Sequence, residues 1–374
     1  MITSSVLGDW EALDSRSLEG EWNGLVERSA ANEIFSRAEW LRAWGKSRTR
    51  ESCPHMVLLR DSGRLVAIAP LMRARRRFLG VGVETVEFAG APNSDYSDFI
   101  FEDPRYLEPL WKIVGRQARE VDVLRLQQVR MESPTCRFLV GRGGVIARPC
   151  AMGLFVRLPE CPQAPVEAYL KGRGLRKRTV LRIEREGPVE LIAHEGPEEI
   201  LAHLPVLFDQ HIRRWAGTRT QSFFRHESIR ELYRNWASEL GERAAFWELR
   251  LRGQPVATLF GFVYDRKLVV HTISFDVDYY KFHCGLYCIL TVMRTLRERG
   301  IEWVDFSRGS EAFKFHFADQ KAVNYEFHGL QTWKARCAAG GVLAAKDLVR
   351  RWPPAGRMAR ALGYGVERVE TASA

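Results

Sequence analysis

The run GQPVATLFGFVYDRKLVVHTISFDVDYYKFHCGLYCILTVMRTLRERGIEWVDFSR, residues 253–308, decides the fold. PVATLFGFVY and KLVVHTISFD are β-branched and aromatic stretches of strand length, separated by a short polar turn. GLYCILTVMRTLRERG then carries apolar residues at helical spacing. It stops at Gly300, a residue suited to the left-handed turn that ends helices. IEWVDFSR returns to strand character. Strands alternating with a helix predict an α/β layer fold.

Working outward, the hairpin that opens this run has an echo. Residues 250–261 read RLRGQPVATLFG, and residues 60–71 read RDSGRLVAIAPL. Arg60, Gly63, Val66 and Ala67 match Arg250, Gly253, Val256 and Ala257. Each reads as strand, tight turn, strand, with the glycine in the turn. Upstream, FSRAEWLRAW (35–44) echoes FFRHESIREL (223–232), both of helical pattern. Downstream of the first hairpin come strand-like VETVEFAG and SDFIF, a helix around LEPLWKIVGRQARE, and a strand at VDVLRL. Both halves therefore give helix, hairpin, strand, helix, strand. The expected organisation is an α/β module over 1–160, a second over 161–330, and a basic helical appendage over 331–374. The first boundary falls where LPECPQAP breaks both patterns.

The 374 residues suit two domains, and 46% hydrophobic with 27% charged residues is a globular composition. No apolar run is long enough to span a membrane. The first residues lack the basic start of a secretory signal, and seven cysteines are scattered without a CxxC pair. Reduced thiols and a cytoplasmic location are expected. The net charge of +10 is concentrated in two places. Residues 171–185 hold seven Lys or Arg against one Glu, and residues 331–374 hold eight against three. Either cluster is a solvated face or a phosphate-attracting surface.

The second half resembles the CelD-like branch of the GNAT superfamily. The residues carrying this are Gly253 to Ala257, Phe275-Asp276, Gly285, Asp305-Phe306 and the block Arg308-Gly309-Ser310-Glu311-Ala312-Phe313-Lys314. The segments 171–185 and IRRWAG (212–217) also look like this branch, as do FSRAEWLRAW and NSDYSDFIF in the first half. The resemblance covers about residues 8–330, and the double-module layout is shared with Fem-type peptidoglycan aminoacyltransferases. It implies two tandem GNAT-like modules packed side by side, with the acyl-donor site in the second. One departure stands out: Phe313 occupies a position where the branch often has Tyr, so no phenol is available there to donate a proton.

Acyl transfer from a thioester needs a base for the nucleophile, donors for the oxyanion and an exit for the thiolate. The resemblance assigns the donors to backbone N–H groups on a splayed strand. The loop Lys281-Phe282-His283-Cys284-Gly285-Leu286 follows a strand and opens a helix, where unpaired N–H groups and the helix dipole favour the phosphates of acyl-CoA. It reads equally as an ordinary strand-to-helix turn. Cys284 and Cys288, four apart beside His283, lack a fourth ligand, so no metal is expected. Glu311 and Lys314, three apart, share one face. They are a base and an anion holder, or an ion pair. His271 is a base candidate or a packed strand histidine. Asp276 is a turn former or a positioning group. Asp95, Tyr96 and Asp98 form a turn by composition. By resemblance they line the acceptor pocket between the modules, with Trp215 and Arg308 as further substrate-binding candidates.

Three functions compete. The first is acyl transfer from acyl-CoA to an amine or hydroxyl of a small molecule or saccharide precursor. The second keeps the fold but takes the acyl group from an aminoacyl-tRNA held by Lys171 to Arg185. The third is a non-catalytic protein that binds nucleic acid or a membrane surface. Sparse aromatics among the basic residues weigh against base stacking, and no nucleic-acid motif appears. The basic tail offers a peripheral membrane or synthase-complex contact.

Overall fold

The computed structural model describes residues 1–47, 52–91, 93–158, 181–218 and 220–351. The chain divides into two compact units, Met1–Met152 with the residues from Ala322 onward, and Gly153–Lys321. Both are mixed α/β.

The first unit opens with β1 (Ile2–Leu7), α1 (Arg16–Arg28), α2 (Ala38–Lys46), β2 (Ser52–Pro54) and the hairpin of β3 (Met56–Asp61) and β4 (Arg64–Ala69). Then come β5 (Leu71–Phe78), β6 (Val81–Phe88), β7 (Ile100–Phe101), α3 (Leu107–Ala118), β8 (Val123–Arg130) and α4 (Pro134–Leu139). One sheet runs β1-β3-β4-β7, and β2, β5, β6 and β8 are successive neighbours in another. β6 and β8 are parallel, joined by a crossover containing α3. Trp22, Leu25, Trp40 and Trp44 are fully buried. Each such side chain contributes about 1.5–3 kcal/mol or more through loss of water contact.

The second unit takes the end of β9 (Ile146–Arg157), then β10 (Val189–His194), α5 (Pro197–Trp215), α6 (Glu227–Leu240) and the hairpin of β11 (Ala244–Leu251) and β12 (Gln254–Tyr264). β13 (Lys267–Phe275), α7 (Cys284–Glu298) and β14 (Trp303–Arg308) follow. Its strand order is β10-β11-β12-β13-β14-β9. The helix α7 forms because Cys284, Cys288, Ile289, Val292, Met293 and Leu296 make one buried stripe. It ends where Gly300 takes φ +83°.

The sequence echo is a structural repeat. In both hairpins the register slips at the same place, between Leu59 and Arg60 and between Leu249 and Arg250. Leu59 faces Ala67 as Leu249 faces Ala257. The turns also match: Ser62 and Gly63 have φ of 50° and 85°, Arg252 and Gly253 of 52° and 77°. Two successive positive-φ residues give the turn whose twist suits paired strands. The parallel crossovers agree too. Thr85, Val86 and Glu87 face Val123, Leu124 and Arg125, while Lys267, Leu268 and Val269 face Trp303, Val304 and Asp305.

Two expectations need correction. The boundaries expected at 160/161 and 330/331 fall instead at Met152 and Lys321. The described part of the expected appendage, up to Arg351, belongs to the first unit. β15 (Gln320–Leu330) pairs antiparallel with β8, Asn324 facing Arg130 and Leu330 facing Val123. Then α8 (Trp333–Arg351) buries Ala335 and Ala339 against Val83 and Val123. Small alanines let this helix lie close on the sheet, so its packing face is alanine rather than a conspicuous apolar stripe. Of the first basic cluster, residues 171–180 lie outside the described residues, and Leu181–Arg185 form a short 3-10 helix. Residues 352–374 of the basic tail also lie outside them. No helix among the described residues is long and apolar enough to cross a membrane.

Candidate active site

β13 and β14 begin side by side and then part. Their pairing ends at Val269 facing Asp305. Beyond it Ser307, held at φ 60°, turns its hydroxyl to donate to the Val270 carbonyl (2.8 Å). Its own N–H donates to Asp305 Oδ1 (2.7 Å). The side chain thus replaces the ladder bond lost where the strands separate. Further along, the Ile273 carbonyl accepts from Arg214 Nη1 (3.3 Å), reaching in from α5. The wedge so opened continues into a cavity of about 210 Å³.

The start of α7 forms one wall of this cavity. His283, Cys284, Gly285 and Leu286 line it, opposite Ile273 and Phe275 of β13. Tyr280, Ile289, Phe313, His316 and Arg214 complete the lining. His283 is the N-cap residue in a left-handed conformation (φ 54°, ψ 38°), and no side chain caps the helix. No acidic residue stands in its first turn. A Cβ at Gly285 would lie 3.3 Å from Phe275 Cδ1, so glycine keeps this wall close to β13. The helix therefore presents uncapped N–H groups and its positive end to a concave surface, an arrangement that favours anions.

Arg214 is the cation in this wall. Its guanidinium stacks on Phe275 (4.5 Å to the ring centre). Burial pulls its pKa down from the usual value, partly offset by the negative charge of Glu311. Glu311 is exposed and its carboxylate pairs with Lys314 Nζ at 2.9 Å. Lys314 is itself buried and donates to the Arg308 carbonyl (2.7 Å). Gly309 has φ +116°, and a Cβ there would overlap the Glu311 carboxylate at 2.4 Å from Oε2. The glycine therefore permits both the turn after β14 and the folding back of Glu311.

The remaining candidates are dispersed. His271 packs among Trp236, Phe262 and Tyr233, with ring centres 5.0, 5.4 and 5.6 Å away. Asp276 accepts from the Asp278 N–H (3.0 Å) and from Arg213 Nη1 (3.2 Å), capping the 3-10 helix Val277–Phe282. Lys281 is exposed with its ammonium over the Phe282 ring (4.8 Å), and Phe282 is buried. Burial pushes the Cys284 thiol up to about 12 and raises that of Cys288 as well, so both are protonated packing groups. Trp215 stacks on His211 at 5.9 Å. Its neighbour Arg214, one helical step round, is the residue that lines the cavity.

Asp95, Tyr96 and Asp98 belong to the first unit. The Asp95 carbonyl accepts from Asn324 Nδ2 (3.0 Å). The Tyr96 ring lies under the Arg130 guanidinium at 3.8 Å. Arg130 in turn pairs with Glu33 at 3.0 Å. Asp98 accepts from Ser133, and burial raises its carboxyl to about 6. Sequence reasoning missed Arg214, Ile273, Tyr280, Ile289 and His316. The signal for Arg214 was present in IRRWAG, since 100° per residue places Arg214 and Trp215 on different sides of α5.

Residues 173–315 match the family described as Acetyltransferase (GNAT) domain. No curated protein matches the sequence. Among solved structures, the chain is similar to FemX at 10% identity, covering 83% of this chain and 96% of that one, with a TM-score of 0.59. It is similar to the C-terminal (DUF2156) domain of a putative lysylphosphatidylglycerol synthetase from Agrobacterium fabrum at 15% identity, covering 86% and 95%, TM-score 0.54. A tandem GNAT protein from the clavulanic acid biosynthesis pathway gives 11% identity, 87% and 98% coverage and TM-score 0.50. Residues 173–315 thus resemble a GNAT acetyltransferase domain, and the fold is mixed α/β like that of tandem GNAT proteins.

Proposed function

We propose that this protein moves an acyl group from acyl-CoA to an amine or hydroxyl of a small-molecule or saccharide-precursor acceptor. The observation that carries the reading is the uncapped, acid-free start of α7 at the cavity wall. Phosphate groups of the donor would accept from the first-turn N–H groups, with Lys281 adding charge nearby. The thioester would lie along the edge of β13 beyond Val269, where β14 has turned away. The acceptor nitrogen or oxygen attacks the thioester carbon, the carbonyl becomes an oxyanion, and the C–S bond breaks to release the thiolate of CoA. Glu311 would take the acceptor's proton directly or through water, while Lys314 and Arg214 balance its charge. With Phe313 in the lining, the thiolate takes its proton from water or from another side chain.

The test is thermal stability of the purified protein against acetyl-CoA, longer acyl-CoAs, free CoA and aminoacyl-tRNA, since a ligand of the native state raises the Tm. CoA and its thioesters are expected to raise it. A response to aminoacyl-tRNA with none to any CoA species would transfer the donor role to tRNA.

A further inference from the structure

Away from the cavity, three side chains of the second unit converge without a part in the chemistry above. Glu248 lies in β11 facing Ile192 of β10, and His194 stands two residues beyond Ile192. Alternation along a strand therefore puts His194 and Glu248 on one face of this pair. α5 packs on the same strands and brings His203 to the group. One ligating atom from each of the three lies within 4.8 Å of the others.

The group is more enclosed than a surface ion pair, although His203 Nδ1 lies 3.4 Å from Glu248 Oε2. His194 is 7% exposed and Glu248 0%. Both His194 Nε2 and Glu248 Oε2 are buried without a hydrogen-bond partner. Arg250 Nε donates to the other oxygen of Glu248. The two imidazoles stack at 3.6 Å between ring centres, a contact that two charged rings would oppose.

We propose that His194, His203 and Glu248 bind a divalent transition metal ion, which ties α5 to the β10–β11 pair. Two nitrogens and one oxygen suit zinc and its neighbours, whereas calcium and magnesium prefer all-oxygen sets. Ligand bonds of about 2.0–2.2 Å in a tetrahedron put ligand atoms about 3.4 Å apart. The present spread is at most 4.8 Å, so side-chain rotation closes it, with the stacked rings swinging open to aim at one point. With Nε2 of His194 as ligand, its Nδ1 is on the side of Glu199, whose carboxylate lies 4.0 Å away. The side chain of His203 is 31% exposed and gives the ion its way in.

The experiment uses the full chain, stripped with EDTA, carrying Cys53→Ser and Cys337→Ser because these exposed thiols would also take zinc. Zinc titrated by calorimetry should saturate at one ion per chain and raise the Tm, while magnesium does neither. His203→Ala, a change at a part-exposed site, should keep the metal-free Tm and weaken zinc binding by at least about 100-fold, the upper end of what even an outer-shell partner costs. Glu248→Gln, which keeps the shape but removes the anion, should weaken it as well. Absence of saturable zinc binding, or binding that survives His194→Ala with His203→Ala, would overturn the proposal.

Discussion

The two units share a hairpin with one register slip and a parallel crossover with three paired residues, yet they treat the resulting wedge in opposite ways. In the first unit the chain fills it. Where β6 leaves β8, the segment from Asn93 to Asp98 lies against β8, with the Ser97 N–H donating to the Gln128 carbonyl (3.0 Å). Packing there is tight enough that a Cβ at Gly90 would come within 2.6 Å of Ser94 Oγ. The crossover helix α3 also supplies its own anions. Asp103 caps the turn before it and Glu108 sits in its first turn. In the second unit the wedge is a cavity, and α7 starts with neither cap nor acid. The difference teaches that the repeated frame does not itself make a donor site. A site exists only where the chain leaves the wedge and the helix end unoccupied.

The most direct way to break this comparison is to give α7 what α3 has. Gly285→Glu places a carboxylate at the uncapped helix start. CoA affinity should fall by at least about 100-fold, the order expected from a like charge about 4 Å away in a partly dry site. Removing the acid from α3 by Glu108→Ala should leave CoA affinity unchanged. If Gly285→Glu folds and binds CoA normally, the donor site lies elsewhere.

A second substitution asks whether the turn after β14 works in turnover or only in folding. Glu311→Gln should lower turnover by about 100-fold, the usual contribution of a positioned base. Its stability should change by about 1 kcal/mol or less, as for an exposed ion pair. Full activity on the true substrate would leave Glu311 as a partner of Lys314 and make His271 the next base to test.

The units should also respond to acid with opposite signs. Asp98 is raised to about 6, so the folded first unit holds this proton longer than the unfolded chain. Its contribution is present at pH 4 and is lost as pH rises towards 6. His211, in the second unit, is lowered to about 4 by burial. Its contribution is present above pH 6.5 and is lost as pH falls towards 4. Denaturant melts of Asp98→Asn and His211→Gln against the parent at several pH values should give stability differences that slope in opposite directions. Each should span about 3 kcal/mol across its window. Parallel slopes would contradict the assignment of the two groups.

The smallest effect sharpens the likeness. Gly63→Ala and Gly253→Ala both meet open space, so each pays only for a left-handed conformation. Both should destabilise by about 1 kcal/mol, and by nearly the same amount. A marked inequality in chemical denaturation would show that the two hairpins are not equivalent.

Much of this fold was legible because it is written in local chemistry. Positive-φ turn positions, helical apolar stripes and the glycine at 300 all act within a few residues, so the hairpins, α3, α7 and the strands flanking them could be read directly. Strand β1 was missed because ITSSVL is exposed along most of its length and lacks alternation. The pairing of β15 with β8 joins residues about 200 apart, and nothing local announces it. The candidate site was legible where it follows the strand-to-helix turn at 281–286. Arg214 and His316 enter it from elements distant in sequence. His194, His203 and Glu248 converge from three elements whose spacing matches no metal motif.

The return of the chain from Ala322 to the first unit has a consequence for synthesis. When residue 152 has been made, β8 still lacks β15, and the sheet face around Val83 and Val123 still lacks α8. The intervening segment Gly153–Lys321 must be translated first. At about 5–20 residues per second that takes roughly 10–30 s. For this interval the nascent chain carries an open strand edge of eight residues, β8, which a neighbouring chain on the same message can pair with instead. Chaperones that hold exposed strand edges therefore have a defined window in which to act on this protein, and it closes only when the last strand leaves the ribosome.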